Sequence, residues 1–125
     1  MASQKKFGLG PVALTTTYTT NIMNPGTTTG GVASTSAPYD KLLITIYHIR
    51  VVNKASASTF RLYKGATGAN APGTEIAYNV AVAAGSYVDL YFGTGIPFTT
   101  TDFLVGGAAD ATTLTLYAEG EIGVA

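Results

Sequence analysis

The chain has 125 residues, seven basic and seven acidic side chains, no net charge and no cysteine, and it is 46% hydrophobic but only 11% charged. That length suits one domain with a sizeable core. The absence of cysteine excludes disulfide, thiolate and zinc-ribbon chemistry, and the charge balance leaves no basic footprint for nucleic acid or for an anionic membrane surface. A charged fraction far below the usual quarter suits a surface covered in an assembly better than that of a lone soluble enzyme.

The opening residues, MASQKKFGLGP, hold two lysines, two glycines and a proline with no evident periodicity. They are too short and too broken for a signal-peptide core. Residues 1–11 are expected to form an N-terminal arm, with Lys5 and Lys6 as its charges and Phe7 and Leu9 as its anchors on a partner. Residues 12–125 are expected to form one β-sandwich domain. Residues 12–20, VALTTTYTT, alternate and predict a Thr-rich, half-exposed strand. Asn24-Pro25-Gly26 signals a turn, and TTTGGVASTS after it is of low complexity.

The longest apolar, β-branched run is Leu42–Asn53, LLITIYHIRVVN. Leu42, Ile44 and Ile46 share a face that continues as His48 and Arg50, whereas Leu43, Thr45 and Tyr47 share the face that continues as Ile49 and Val51. The apolar side therefore changes near Tyr47. Either a bulge sits there or the strand turns a corner between two sheets, and the length favours the corner.

Downstream, residues 59–64 alternate with Phe60 and Leu62 inward and Arg61 and Tyr63 outward. The glycine-rich stretch 65–73 reads as a surface loop. Glu75–Val82 alternates with Ile76, Tyr78, Val80 and Val82 on one side. Residues 87–92 set Val88, Leu90 and Phe92 against Tyr87, Asp89 and Tyr91, and the glycines of 93–97 break the pairing. Residues 102–107 form a short apolar strand, and 113–121 alternate with Leu114 and Leu116 inward and Tyr117, Glu119 and Glu121 outward. No segment has helical periodicity. Seven or eight strands at this spacing predict an all-β, jelly-roll-like antiparallel sandwich of about eight strands, with an immunoglobulin-like sandwich as the alternative.

Little in the sequence carries chemistry. A cupin-type metal site needs a cluster of His and Glu ligands, and the chain has the single histidine His48. The seven carboxylates are scattered; Glu119 and Glu121 share a strand face, as any exposed strand allows. Neither a G-x-S-x-G elbow nor a phosphate-cradling glycine loop is present. No catalytic residue, metal site or cofactor is expected, and the protein is not expected to be an enzyme. The tyrosines say more: Tyr63, Tyr87, Tyr91 and Tyr117 fall on outward faces with little charge around them. That composition fits an interface as well as cross-strand pairing on a solvated sheet. A sugar-binding platform fits the same rings.

HIRVVNKASASTFRLYKGATGANAPGTEIA, SYVDLYFG and TTDFLVGGAADATTLTLYAEGEIGV, within residues 40–125, resemble small structural proteins of tailed-phage particles. The resemblance implies a head decoration or cement protein of jelly-roll type that stabilises the capsid exterior after assembly in the host cytoplasm. Its partners would be the major capsid protein and further copies of itself as a homotrimer, with no nucleic acid or membrane. The alternative is a receptor- or glycan-binding domain of a tail fibre or adhesin.

Overall fold

The computed structural model describes residues 5–25, 42–110 and 114–124. The low-complexity stretch after Pro25 lies outside them. Eight strands are formed: β1 Lys5–Ala13, β2 Thr20–Met23, β3 Leu42–Asn53, β4 Ser58–Gly65, β5 Glu75–Val82, β6 Tyr87–Phe98, β7 Phe103–Ala108 and β8 Leu114–Val124. They build two four-stranded sheets, β1-β8-β3-β6 and β2-β7-β4-β5. All the pairings are antiparallel. Apart from the β4–β5 hairpin, consecutive strands alternate between the sheets in the double Greek-key order of a jelly roll, so the immunoglobulin-like alternative is set aside.

The inner faces meet in one core that includes Phe7, Leu9, Ile46, Val51, Phe60, Phe98, Leu104 and Leu116, each 0–3% exposed. Burying a side chain of this size stabilises the fold by about 1.5–3 kcal/mol. β3 lies at the middle of its sheet, paired with β8 on one side and β6 on the other along nearly its whole length. The corner expected within it is not there. Its register shifts between Ile46 and His48 against both neighbours, so a bulge at Tyr47 changes the face. Ile44, Ile46, Ile49 and Val51 are 0–1% exposed on one continuous buried side. The extra residue leaves Tyr47 and His48 both outside the core.

Across from this bulge, β6 does not break at its glycines. Residues 92–95 bulge outward between the Tyr91–His48 and Ile96–Ile46 pairs, with Gly93 and Gly95 at φ 59° and 97°. The expected arm is also corrected for Lys5–Pro11. This stretch is the first part of β1, an outer strand hydrogen-bonded to β8, and Phe7 and Leu9 are 2% and 3% exposed in the chain's own core. Their partner is β8. Lys6, Gly8 and Gly10 face outward between them.

The Thr-rich strand expected over 12–20 ends at Ala13. The hydroxyls of Thr15 and Thr17 each lie 2.6 Å from that of Thr20, local bonding that competes with a ladder. In β5, Asn79 has φ 51°, and the alternation slips there. Ala77 is buried and Tyr78 is 55% exposed, the reverse of the expected order.

Candidate functional site

The outer face of the β1-β8-β3-β6 sheet gathers most of the outward polar and aromatic groups. Strand register sets them in rows. One row runs Gly8, Glu119, His48, Tyr91 across β1, β8, β3 and β6. The next runs Tyr117, Arg50, Asp89 across β8, β3 and β6. His48 Nε2 lies 2.7 Å from Asp89 Oδ1, and its Nδ1 lies 3.0 Å from Glu119 Oε1. Both ring nitrogens are thus engaged by carboxylates. Arg50 donates from Nε and Nη2 to the two Asp89 oxygens, at 2.8 and 3.1 Å, a bidentate pair. The Arg50 guanidinium first, and then His48, hold the Asp89 carboxyl below the usual carboxylate range. Asp89 in turn raises Arg50 above its ordinary value.

Two rings cover this chain of charges. Tyr91 stacks on His48 with centroids 4.6 Å apart and planes 16° apart, and Arg50 lies 4.4 Å from the centroid of Tyr87. Such contacts hold the rings in place. Beside them, the Tyr47 hydroxyl donates to Glu121 Oε1 at 2.8 Å. That hydrogen bond, with smaller contributions from burial and the Glu121 charge, pushes the Tyr47 phenol above its usual range.

The sheet is grooved here. A shallow hollow of about 500 Å³ is lined by His48, Arg50, Val52, Tyr117, Ala118 and Glu119. A second of about 320 Å³ adjoins it at Glu119 and reaches Lys6, Tyr47 and Glu121. Beside Glu119, where the hollows adjoin, β1 presents glycine on this side: a Cβ at Gly8 would meet nothing within 4 Å. Gly10, at φ 110°, brings the β1 backbone so near β8 that its Cβ would stand 2.6 Å from the Leu116 carbonyl and 3.2 Å from the Tyr117 ring.

Of the residues expected at a surface, Tyr87, Tyr91 and Tyr117 are 55%, 73% and 43% exposed and share this face. Lys6 is exposed on the same sheet, and the Lys5 side chain lies outside the described residues. Three expectations are corrected. Phe7 and Leu9 are core residues. Tyr63 is 2% exposed although the unbroken β4–β7 register keeps it on the outer side with Arg61, because residues of the 65–74 loop lie beside it there. It lines a small hollow with Asn70 and Pro72 of the 65–74 loop.

His48, Arg50, Asp89 and Glu119 were not expected to act together. Their partners are 39 to 71 residues apart in sequence. The available signal was the matching of outward positions, His48 and Arg50 on one strand against Asp89 on another. Chemically, the cluster is self-contained. Both His48 nitrogens are occupied by carboxylates, so neither is poised to take a proton from a nucleophile. Among the described residues no group of three His, Cys, Asp or Glu side chains could hold a metal ion.

No protein-family model matches the chain, and no curated protein matches it. Among solved structures, a coat protein dimer of Tobacco streak virus is similar at TM-score 0.49 and 13% identity, covering 97% of this chain and 84% of that one. A second crystal form of the same virus's coat protein gives 0.47 and 14%, with the same coverage. Likeness of this degree carries no functional weight.

Proposed function

We propose that the chain is a structural, non-enzymatic protein of a virus particle, bound to the capsid exterior as a decoration or cement protein and associating with further copies of itself as a homotrimer. The observation that carries this reading is the β6 margin of the first sheet. Tyr87 and Tyr91 are among the most exposed large hydrophobic side chains of the described residues, and the Arg50 guanidinium and His48 ring beneath them are already engaged by Asp89. Aromatic surface over paired charge is the composition of an interface core. β6 is also an outer strand, with one side of its ladder unpaired by the described chain.

The low charged fraction and the sequence resemblance over residues 40–125 support the same reading. A jelly roll by itself does not, since the architecture serves many roles. Weak contacts of this kind gain strength when symmetry repeats them. Attachment comes from the tyrosine margin in this reading, because Phe7 and Leu9 are committed to the core.

The test pairs solution mass with capsid occupancy. Shells of the parent virus stripped of this protein are re-bound with the parent chain and with the Tyr87→Ser, Tyr91→Ser double variant. The variant is expected to keep its melting temperature while losing self-association and most of its occupancy. Unchanged mass and occupancy would sink the reading.

A further inference from the structure

The rest of the same face, centred on β8 between β3 and β1, has a different character. Its ring and polar groups line open hollows. We infer that this trough is a binding site for an uncharged saccharide, with the sugar ring on Tyr117 and its hydroxyls on Glu119. The inference goes beyond the particle role and does not depend on it.

Four observations converge. The hollow of about 500 Å³ falls within the ~300–1,000 Å³ of ordinary ligand clefts. It abuts a second hollow of about 320 Å³ at Glu119, so open space continues past the carboxylate. One wall is Tyr117, 43% exposed and backed by the Gly10 backbone, a fixed apolar surface for the C–H face of a pyranose. The side chain where the hollows join is Glu119, 71% exposed and anchored by His48 through Oε1. An ionised carboxylate only accepts hydrogen bonds, so it selects hydroxyl donors and repels anions.

The face holds no spare cation to reverse that choice among the groups lining the first hollow. Arg50 is bound to Asp89 by two hydrogen bonds, and His48 lies between two carboxylates. At the first hollow a phosphate or a sialylated glycan would meet a carboxylate without a free counter-charge, and at the second Lys6 shares the lining with two carboxylates, Glu119 and Glu121. A neutral polyhydroxyl ligand would meet an acceptor and a ring, the pairing that fixes orientation and gives apolar contact at once. Gly8 keeps the space beside Glu119 open. A larger residue there would extend into empty space next to Glu119, its register partner.

Amide chemical shifts of the full-length chain test the site. The probes are glucose, galactose, mannose and N-acetylglucosamine with their disaccharides, in the millimolar range, and N-acetylneuraminic acid as the charged comparison. At least one neutral sugar is expected to shift the amides around Tyr117, Glu119 and Gly8. Tyr117→Ala should weaken that binding about tenfold or more. Gly8→Thr, which the backbone has room to accept, should block it without lowering the melting temperature, and it decides the matter if the tyrosine variant folds poorly. The Tyr87, Tyr91 double variant should bind sugar as the parent does, which separates this site from the particle interface. The inference is overturned if no neutral sugar shifts these amides, if binding survives Gly8→Thr, if only the acidic sugar binds, or if Gly8→Thr lowers the solution mass and so marks the trough as a contact between copies.

Discussion

The outer faces of the two sheets treat an arginine in opposite ways. On the β2-β7-β4-β5 sheet, Arg61 is clamped between Tyr18 and Tyr78, 4.3 and 4.4 Å from their ring centroids, and its Nε donates to Asn79 at 2.7 Å. Tyr18 comes from the connection between β1 and β2, which folds over Gly107: a Cβ there would collide with the Thr17 carbonyl. On the β1-β8-β3-β6 sheet, Arg50 is paired with Asp89 across adjacent strands, and the described chain lays no segment over Gly8. The first arrangement closes a face by tying a loop and an outer strand to a central one. The second neutralises charge within the plane of the sheet and leaves rings and a carboxylate facing outward. One face has therefore been used to complete the fold, and the other is left open.

The sharpest test of that contrast adds one methyl to each face. Gly107→Ala forces the Thr15–Thr17 segment off the second sheet and should destabilise the protein by about 1–3 kcal/mol, the range of overpacking in a filled space. Gly8→Ala meets nothing and should stay within about 0.5 kcal/mol of the parent. Urea midpoints for both variants measure the difference. Equal effects would erase the distinction between a closed and an open face.

A smaller effect is expected from the clamp. Tyr18→Ala removes one of the two rings on Arg61 and the tie it gives the connection, and should cost about 1 kcal/mol. Tyr91→Ala removes a ring from an open face. Its loss should be smaller in thermal melts, although the ring contacts are similar, because Tyr91 holds down no loop.

The architecture was legible because its cause is local. β-branched alternation in Leu42–Asn53, Glu75–Val82 and residues 113–121 marks strands, and their spacing marks a jelly roll. Bulges are not local in that sense. At Tyr47 the change of apolar face was visible but could not tell a bulge from a corner, and at residues 92–95 and Asn79 side-chain type alone does not mark where the partner strand skips. β1 was hidden for a simpler reason. Lys6-Phe7-Gly8-Leu9-Gly10 does alternate, with Phe7 and Leu9 inward, but its outward members are mostly glycine, which reads as a breaker. Tyr63 does lie on the Arg61 side that alternation assigns it, but alternation carries no sign of the 65–74 loop that lies beside it there. The exposed tyrosines of β6 and β8 were legible from alternation. The ionic row of Glu119, His48, Asp89 and Arg50 was not, since it exists only once β8, β3 and β6 are laid side by side.

That row gives the open face a response to acid. Arg50 and His48 depress the Asp89 carboxyl, so its contribution to stability is fully present above the ordinary carboxylate range, about pH 4. It is lost as pH falls through the depressed value. Asp89→Asn should be less stable than the parent at neutral pH, and the gap should close as the solution is acidified below about pH 4. Because the groups are near solvent, added salt should narrow the neutral-pH gap as well. A gap that persists unchanged into acid would mean that Asp89 contributes by packing and not by charge.

The least effect is expected at the alkaline end. The hydrogen bond to Glu121 raises the Tyr47 phenol, so what that bond contributes is present below the ordinary tyrosine value of about pH 10 and is lost as pH rises through the raised one. Tyr47→Phe cannot ionise and keeps the ring over the β3 bulge. It should sit slightly below the parent in neutral urea titrations and lack the parent's extra alkaline loss. Tyr47 also stands against Gly95, whose Cβ would lie 3.0 Å from its ring. If Tyr47→Phe instead falls as the parent does on alkalinisation, the loss belongs to other tyrosines. The Tyr47–Glu121 bond would then be one more solvated contact, with the bulge held by the packing of Gly95 against the ring.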